Sequence, residues 1–262
     1  MRQRLKGIGI IAPIIIGFFL GSSISSIIAL ALGAVIYYEL HQAFAKKDIH
    51  IQYSFGVIAI IILGAISFQV PNVHYVMAAA AIAGIVSIFV QEKIKIKNIL
   101  MSVFCTLYAF LPYWLMSLLH YVFNDYAGDI ITSLIFTIAF STDISAMLVG
   151  HRFGKHKLTK ISPNKTIEGS IGGIVGALIA CCIWEMFAQT AIYPAAIALM
   201  AVVGSISAQA GDLFASYIKR KCGIKDYSNL LPGHGGFLDR FDSVSFASFT
   251  LWVGLILCLC LA

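Results

Sequence analysis

Between Lys6 and Glu39 the chain runs for 32 residues without a charged side chain. An apolar run of about 18 or more residues marks a transmembrane helix, because about 20 helical residues span the hydrocarbon core. This stretch is too long for one crossing. As a single helix, residues 7–38 would reach about 48 Å at about 1.5 Å per residue, against a core of about 30 Å. A hairpin turning at Gly21-Ser22-Ser23 is therefore expected, giving two short spans that borrow flanking residues. The basic start followed by an apolar run has the outline of a signal peptide. Apolar character resumes at Ile24, however, so an uncleaved first span is expected.

The rest of the chain follows the same rule. Apolar residues make up 60% and charged residues 11%, against about 25% charged in ordinary soluble chains, which excludes a soluble domain. The pattern predicts an all-α, polytopic integral membrane protein with about nine transmembrane helices. They fall at roughly 5–20, 23–42, 53–70, 75–91, 99–123, 130–149, 169–189, 194–220 and 243–262. Counted this way, every Lys and Arg lies on one side: Arg2, Arg4 and Lys6; Lys46 and Lys47; Lys93, Lys95 and Lys97; Arg152 to Lys165; and Lys219 to Arg240. The opposite loops hold Asp125 and Asp129. Basic loops are cytoplasmic, so the N-terminus is expected inside and the C-terminus outside, in a bacterial-type cell membrane. Topology alone accounts for the clusters up to Lys97, and Lys93 variants are expected to stay active. One membrane domain, 1–262, is expected, with structural, lipid-facing and dimer-forming spans over 1–130 and catalytic spans over 131–262. Cys105, Cys181, Cys182, Cys258 and Cys260 sit in apolar runs and Cys222 in a polar loop. With no Cys-x-x-Cys pair, they indicate neither zinc nor a disulfide framework.

Charged groups within spans are costly and mark function. Glu39, Asp143 and Asp212 each precede the inner end of their helix by seven residues, or about 10 Å. They are expected to line one polar cavity open to the cytoplasm. Glu185 lies near the outer end of its span and reads as interfacial. Asp212, Ser216 and Lys219 are spaced i, i+4, i+7 on one helical stripe, which must face protein or water rather than lipid.

Two inner segments carry groups that handle phosphate. Gly150 to Gly169 offers five cations, hydroxyls at Ser162 and Thr166, and a helix N-terminus, all groups that bind phosphate. It lacks a Walker pattern, and His151 and His156, five apart, fit no common helical metal spacing. Ser216 to Asp242 begins with bases, passes through a tight Pro232-Gly-His-Gly-Gly236 turn and ends with Asp239 and Asp242 at the start of the last helix. Oxygen-only ligands of this kind suit Mg²⁺, held by one or two carboxylates together with substrate phosphates. The glycines let backbone approach a ligand.

These residues resemble the phosphatidate cytidylyltransferases (CDP-diacylglycerol synthases). The family signature runs Ser-x-aliphatic-Lys-Arg, four residues, Lys-Asp-x-small, two residues, apolar-Pro-x-His-Gly-Gly-apolar-x-Asp-Arg-apolar-Asp. The chain matches it at every specified position from Ser216 to Asp242. A second resembling block comprises Asp143, Gly150-x-Arg-Phe-Gly-Lys155 and Ile161-Ser-Pro-x-Lys-Thr-x-Glu-Gly169. The chain departs from the family at Ala146-Met147, where Ala-Tyr is usual. The resemblance implies that CTP and phosphatidate give CDP-diacylglycerol and pyrophosphate, with Mg²⁺, and it admits a second cation such as K⁺. It also implies metal ligation by Asp212 and Asp239, to which the residue pattern adds Asp242.

Lys219, Lys225, Arg220 and Arg240 are expected to neutralise phosphate. Asp143, Ser162, Lys165, Thr166, Ser216, Asp226, Gly235 and Gly236 are expected to bind substrate. His234 is expected either to act as an acid or to shape its turn. The resemblance favours a homodimer, and no nucleic-acid partner is expected. A secondary transporter would instead place ionisable groups at the midplane of paired, broken-helix halves, and no halves correspond here. A CTP-dependent enzyme acting on another lipid acceptor is the nearer rival. The small residues Gly169 to Gly176 permit close helix packing, within one chain or between two.

Overall fold

The computed structural model of the chain describes residues 2–89, 95–190 and 192–261, with side chains for 7–87, 95–190 and 192–256. Lys93 and the side chains of Arg2, Arg4, Lys6, Cys258 and Cys260 lie outside the described residues. Nine helices occur among those residues: α1 (Arg2–Gly17), α2 (Ser22–Ala45), α3 (Tyr53–Ser67), α4 (Val73–Phe89), α5 (Ile96–Phe123), α6 (Asp125–Phe153), α7 (Ile167–Ala188), α8 (Pro194–Cys222) and α9 (Leu238–Leu261). Five of them, α2, α5, α6, α7 and α8, are long and apolar enough to cross a membrane. The protein is an integral membrane protein.

Each expected span has a helix, and the boundaries differ for physical reasons. The first hairpin turns where expected, at Gly21, whose φ of 86° needs no Cβ. Asp125 Oδ1 accepts from the Ser22 N–H there at 3.0 Å, tying down the start of α2. Of the two helices in this hairpin only α1, at 16 residues, is short, since α2 runs 24 residues. The outer loop expected around Asp125 and Asp129 is absent. A single residue, Asn124 at φ 74°, separates α5 from α6, and its side chain caps the Ala127 N–H at 3.0 Å. Asp129 thus stands on a helix, 3.0 Å from the His120 ring. The last helix begins at Leu238, not 243, because Asp239 belongs to its first turn.

The chain gathers into two compact units. The first reaches to Asp129 and includes Cys222–Leu238. Its centre is α2 against α5, where a Cβ on Gly33 would lie 2.5 Å from the Phe110 ring. Tyr37 donates to the Gln52 carbonyl at 2.6 Å, and the Gln52 N–H donates to Ser102 Oγ at 2.9 Å, linking α2, α3 and α5. Trp114 donates to Ser67 Oγ at 2.9 Å.

The second unit holds Ile130–Lys221 and Asp239–Ala262. Helix α7 shows how a membrane helix packs. Its buried residues are Gly169, Gly173, Ala177 and Cys181, one small residue per turn. Ile171, Val175, Ile179 and Ile183 face outward and are about half exposed. This inverts the large-inside pattern of a soluble helix and suits a lipid environment, where small residues let backbones approach. The glycine stripe is used within the chain: a Cβ on Gly172 would meet Val149 at 2.5 Å, and one on Gly173 would meet the Ala146 Cβ at 3.2 Å. Polar contacts fix the register, with Trp184 donating to Ser133 Oγ and Thr142 to Ser205 Oγ, both at 2.9 Å.

Gly128 and Gly254 give a matched test of close packing. A Cβ on Gly128 would lie 2.7 Å from the His120 backbone, whereas Gly254 has nothing within 4 Å. Gly128→Ala should cost about 1–3 kcal/mol through overpacking. Gly254→Ala should stay within about 0.5 kcal/mol of the parent. Thermal denaturation in detergent reads both, and equal shifts would contradict the packing.

Candidate active site

A cavity of about 800 Å³ opens within the second unit. Helix α6 contributes Asp143, α8 contributes Asp212 and Lys219, and the start of α9 contributes Asp239, Arg240 and Asp242. The segment between α6 and α7 contributes Ser162, Asn164, Lys165 and Thr166. Four carboxylates and three cations therefore converge on one space, at the ends of membrane-length helices. The carboxylates of Asp143, Asp212 and Asp242 lie near enough to feel one another's charge.

Two ion pairs organise the wall. Lys165 Nζ lies 2.5 Å from Asp212 Oδ2 and ties the α6–α7 segment to α8. Lys219 Nζ lies 2.6 Å from Asp239 Oδ1 and ties the end of α8 to the first turn of α9. The second pair is nearly buried, with Asp239 5% exposed. Breaking a buried pair by removing one partner costs several kcal/mol. Ser243 Oγ joins the remaining acids, lying 3.2 Å from Asp143 Oδ1 and 3.4 Å from Asp242 Oδ1.

The α6–α7 segment is a short hairpin rather than a loose loop. The Leu158 N–H donates to the Lys165 carbonyl at 2.9 Å, and the Ile167 N–H to the His156 carbonyl at 2.9 Å. Thr166 is the N-cap of α7, accepting from the Gly169 N–H at 3.0 Å, an arrangement that satisfies an otherwise orphan amide. Glu168 accepts from the Lys155 and His156 backbone amides and lies 2.6 Å from the His156 ring. His156 therefore serves this clamp. The glycines at 150, 154 and 169 leave room for the cap, since a Cβ on any of them would come within 3.0 Å of the Thr166 side chain.

Several expected site residues lie elsewhere. Ser216 is buried and donates to Asp212 Oδ1 at 3.4 Å, so it supports that carboxylate without lining the cavity. Arg220 turns away into a second cavity. Lys225, Asp226, His234, Gly235 and Gly236 belong to the first unit. The His234 N–H donates to the Leu231 carbonyl at 2.9 Å, and a Cβ on Gly7 would lie 2.3 Å from its ring.

Glu39 also belongs to the first unit. It is fully buried in the first unit, accepting from the Phe237 and Leu238 amides at 2.8 Å each and from Ser228 Oγ at 2.5 Å. A carboxylate can lie buried when such donors surround it, and these anchor both ends of the Ser228–Leu238 segment. Glu185 accepts from the Thr190 backbone and hydroxyl, closing the C-terminus of α7. Uncharged residues that were not anticipated include Gln209, which lines the cavity, and Ser243, which bonds to Asp143 beside it. Gln209 accepts from Ser170 Oγ at 2.5 Å.

The donors suit a hard cation. Among the described residues no three His, Cys, Asp or Glu side chains gather tightly enough to hold a metal ion by themselves. Mg²⁺ is commonly completed by substrate phosphates beside one or two carboxylates, and Asp212, Asp239 and Asp242 on one cavity supply such oxygens.

The family model of the cytidylyltransferase family matches residues 2–258. The chain belongs to this family. Similar curated proteins are each named phosphatidate cytidylyltransferase. One from Bacillus subtilis is 48% identical over 110 residues, covering 42% of this chain and 41% of the relative. One from Staphylococcus epidermidis is 46% identical over 112 residues, covering 42% and 43%. One from Helicobacter pylori is 38% identical over 138 residues, covering 50% and 49%. These matches thus span less than half the length of each relative.

The Glu39 anchor has a direct test. Glu39→Ala leaves the Phe237 and Leu238 amides without their acceptor, at about 1–3 kcal/mol each, whereas Glu39→Gln keeps one oxygen and should lose less. Hydrogen exchange at these two amides should rise most in the alanine variant. Unchanged exchange there would contradict the anchor.

Proposed function

We propose that this chain is a phosphatidate cytidylyltransferase, joining CTP and phosphatidate to give CDP-diacylglycerol and pyrophosphate in phospholipid biosynthesis. The observation that carries this reading is the convergence of Asp143, Asp212, Asp239 and Asp242 with Lys165, Lys219 and Arg240 in one cavity, where Asp143, Asp212 and Lys219 come from helices that can cross a membrane. The names of the relatives support it. A soluble nucleotide and a lipid can meet only where bilayer and water adjoin.

In the proposed reaction a phosphate oxygen of phosphatidate attacks the α-phosphorus of CTP. The bond to the bridging oxygen of the β-phosphate breaks, and pyrophosphate leaves with that electron pair. Such a transfer depends on positioning and charge neutralisation more than on a covalent nucleophile. Asp212, Asp239 and Asp242 would hold Mg²⁺, which supplies charge neutralisation at the reacting phosphates, with K⁺ as a candidate second cation. Lys165, Lys219 and Arg240 bind phosphate oxygens, the two lysines turning from their carboxylate partners as anionic substrate enters. Ser162 and the Thr166 hydroxyl, whose acceptor role is taken by its helix, remain able to donate to phosphate.

The same reading places the basic helix ends in the cytoplasm, the N-terminus inside and the C-terminus outside, by the positive-inside rule. It includes a homodimer, measurable by light scattering in detergent. Asp239→Asn should lower phosphatidate-dependent pyrophosphate release about 100-fold or more while the protein inserts normally. Chelation of Mg²⁺ should abolish turnover, and added Mg²⁺ should restore it. Full activity of a correctly inserted Asp239→Asn protein would overturn the assignment.

A further inference from the structure

Close to Asp143 and Asp212 in the sequence, four uncharged side chains form one hydrogen-bonded chain across α6, α7 and α8. Ser170 of α7 donates its hydroxyl to Gln209 Oε1 at 2.5 Å, and Gln209 Nε2 donates to the Ser170 carbonyl at 3.2 Å. The same Nε2 donates to Ser205 Oγ, one turn earlier on α8, at 3.5 Å. Ser205 Oγ also accepts from the Thr142 hydroxyl of α6 at 2.9 Å. Ser170 and Gln209 line the carboxylate cavity, whereas Thr142 and Ser205 are fully buried. Both N–H groups of the Gln209 amide thus have protein acceptors, and neither is left to offer a ligand.

The backbone makes room for this chain. A Cβ on Gly173 of α7 would lie 3.3 Å from Gln209 Nε2 and 3.2 Å from the Thr142 carbonyl. Further along the same helices α6 and α8 meet through apolar atoms, since a Cβ on Gly204 would lie 3.1 Å from the Ile138 side chain. Thr142 follows Ile138 by one turn and directly precedes Asp143. Gln209 precedes Asp212 by three residues, a spacing that puts both on one side of α8. Each of the two acids therefore stands within one turn of a member of the chain, although they belong to different helices.

We propose that Gln209 is a positioning residue, whose amide sets the separation of Asp143 and Asp212 by holding α8 to α7 directly and to α6 through Ser205. Apolar burial gives little preference for a neighbouring helix over lipid, so bonds among Ser, Thr and Gln side chains carry helix register in a membrane. The apolar contact at Ile138 and Gly204 is non-directional, whereas a hydrogen bond fixes direction as well as distance. Gln209 acts on a bound phosphate only through the two carboxylates. Its kinetic consequence rests on the proposed reaction; its geometric consequence does not.

Spin labels at Val175 and Ile206 report the spacing of α7 and α8, and labels at Leu148 and Ile206 that of α6 and α8; all three positions are exposed. Pulsed electron paramagnetic resonance on the full chain in detergent, freed of other reactive cysteines, reads both distances. Gln209→Leu should broaden both distance distributions, and Thr142→Val only the second. Gln209→Leu should lower kcat for phosphatidate-dependent pyrophosphate release about 10- to 100-fold, with KM for CTP within about twofold of the parent. Thr142→Val, at a buried position, should lower kcat about 3- to 10-fold, and Thr142→Ser, which keeps the hydroxyl, should recover it. Should Gln209→Leu misfold, Ser205→Ala breaks the same chain at its midpoint and should broaden the α6–α8 distance. Distributions unchanged in these variants would overturn the proposal, as would broadened distributions with kcat intact. A raised KM for CTP in Gln209→Leu with Thr142→Val silent would make Gln209 a ligand contact and overturn it equally. A parent inactive towards phosphatidate would overturn the proposed reaction instead, and the distances alone would then decide whether Gln209 sets the separation.

Discussion

The second unit depends on two lysine–aspartate pairs, Lys165–Asp212 and Lys219–Asp239. Carboxylates near the end of a membrane helix are tolerable only with a partner or with water. Here the partners come from other parts of the chain. Lys165 reaches α8 from the hairpin, and Lys219 reaches α9 from α8, although the seventeen residues Cys222–Leu238 that intervene belong to the other unit. Each pair therefore holds a carboxylate and fixes a backbone segment at once. In the proposed reaction a substrate phosphate would compete for the same ammonium groups, so the contacts that stabilise the cavity would also be those that substrate exchanges.

The helices can deliver these groups because they approach closely. Gly169, Gly173, Ala177 and Cys181 bring α7 against its neighbours, and a Cβ on Gly211 of α8 would come within 2.6 Å of the Asp242 carbonyl. Larger residues at these points would separate the helices and spread the carboxylates apart. The hairpin from His156 to Ile167 then needs few contacts of its own, since Glu168 clamps one end and Thr166 caps the other. One rigid strip serves as a wall for two cavities.

The number and order of helices were legible in the sequence because charge-free runs and basic clusters are imposed by the bilayer. Asp143, Asp212, Asp239 and Asp242 were legible for the same reason: an acid at the end of an apolar run needs an explanation. Four features were not. The Asn124 break looks like any polar loop residue until its left-handed φ is known. Glu39 has the same depth signature as Asp143, and only tertiary contacts reveal that backbone amides surround it. Arg220 follows Lys219 directly, yet one residue turns a helix by about 100° and sends it to a different cavity. Ser243 and Gln209 carry no charge, so no electrostatic argument could single them out within an apolar run.

The central claim is that a nucleotide and a lipid phosphate meet at the carboxylate cavity, and lipid choice tests it most directly. Purified protein in neutral vesicles would be given labelled CTP with phosphatidate, with a prenylated glycerol phosphate, or with no lipid. The account predicts a labelled CDP-lipid and an equal amount of pyrophosphate with phosphatidate, and neither product without lipid. Transfer to the prenylated acceptor in place of phosphatidate, or pyrophosphate release that does not need a lipid, would contradict it.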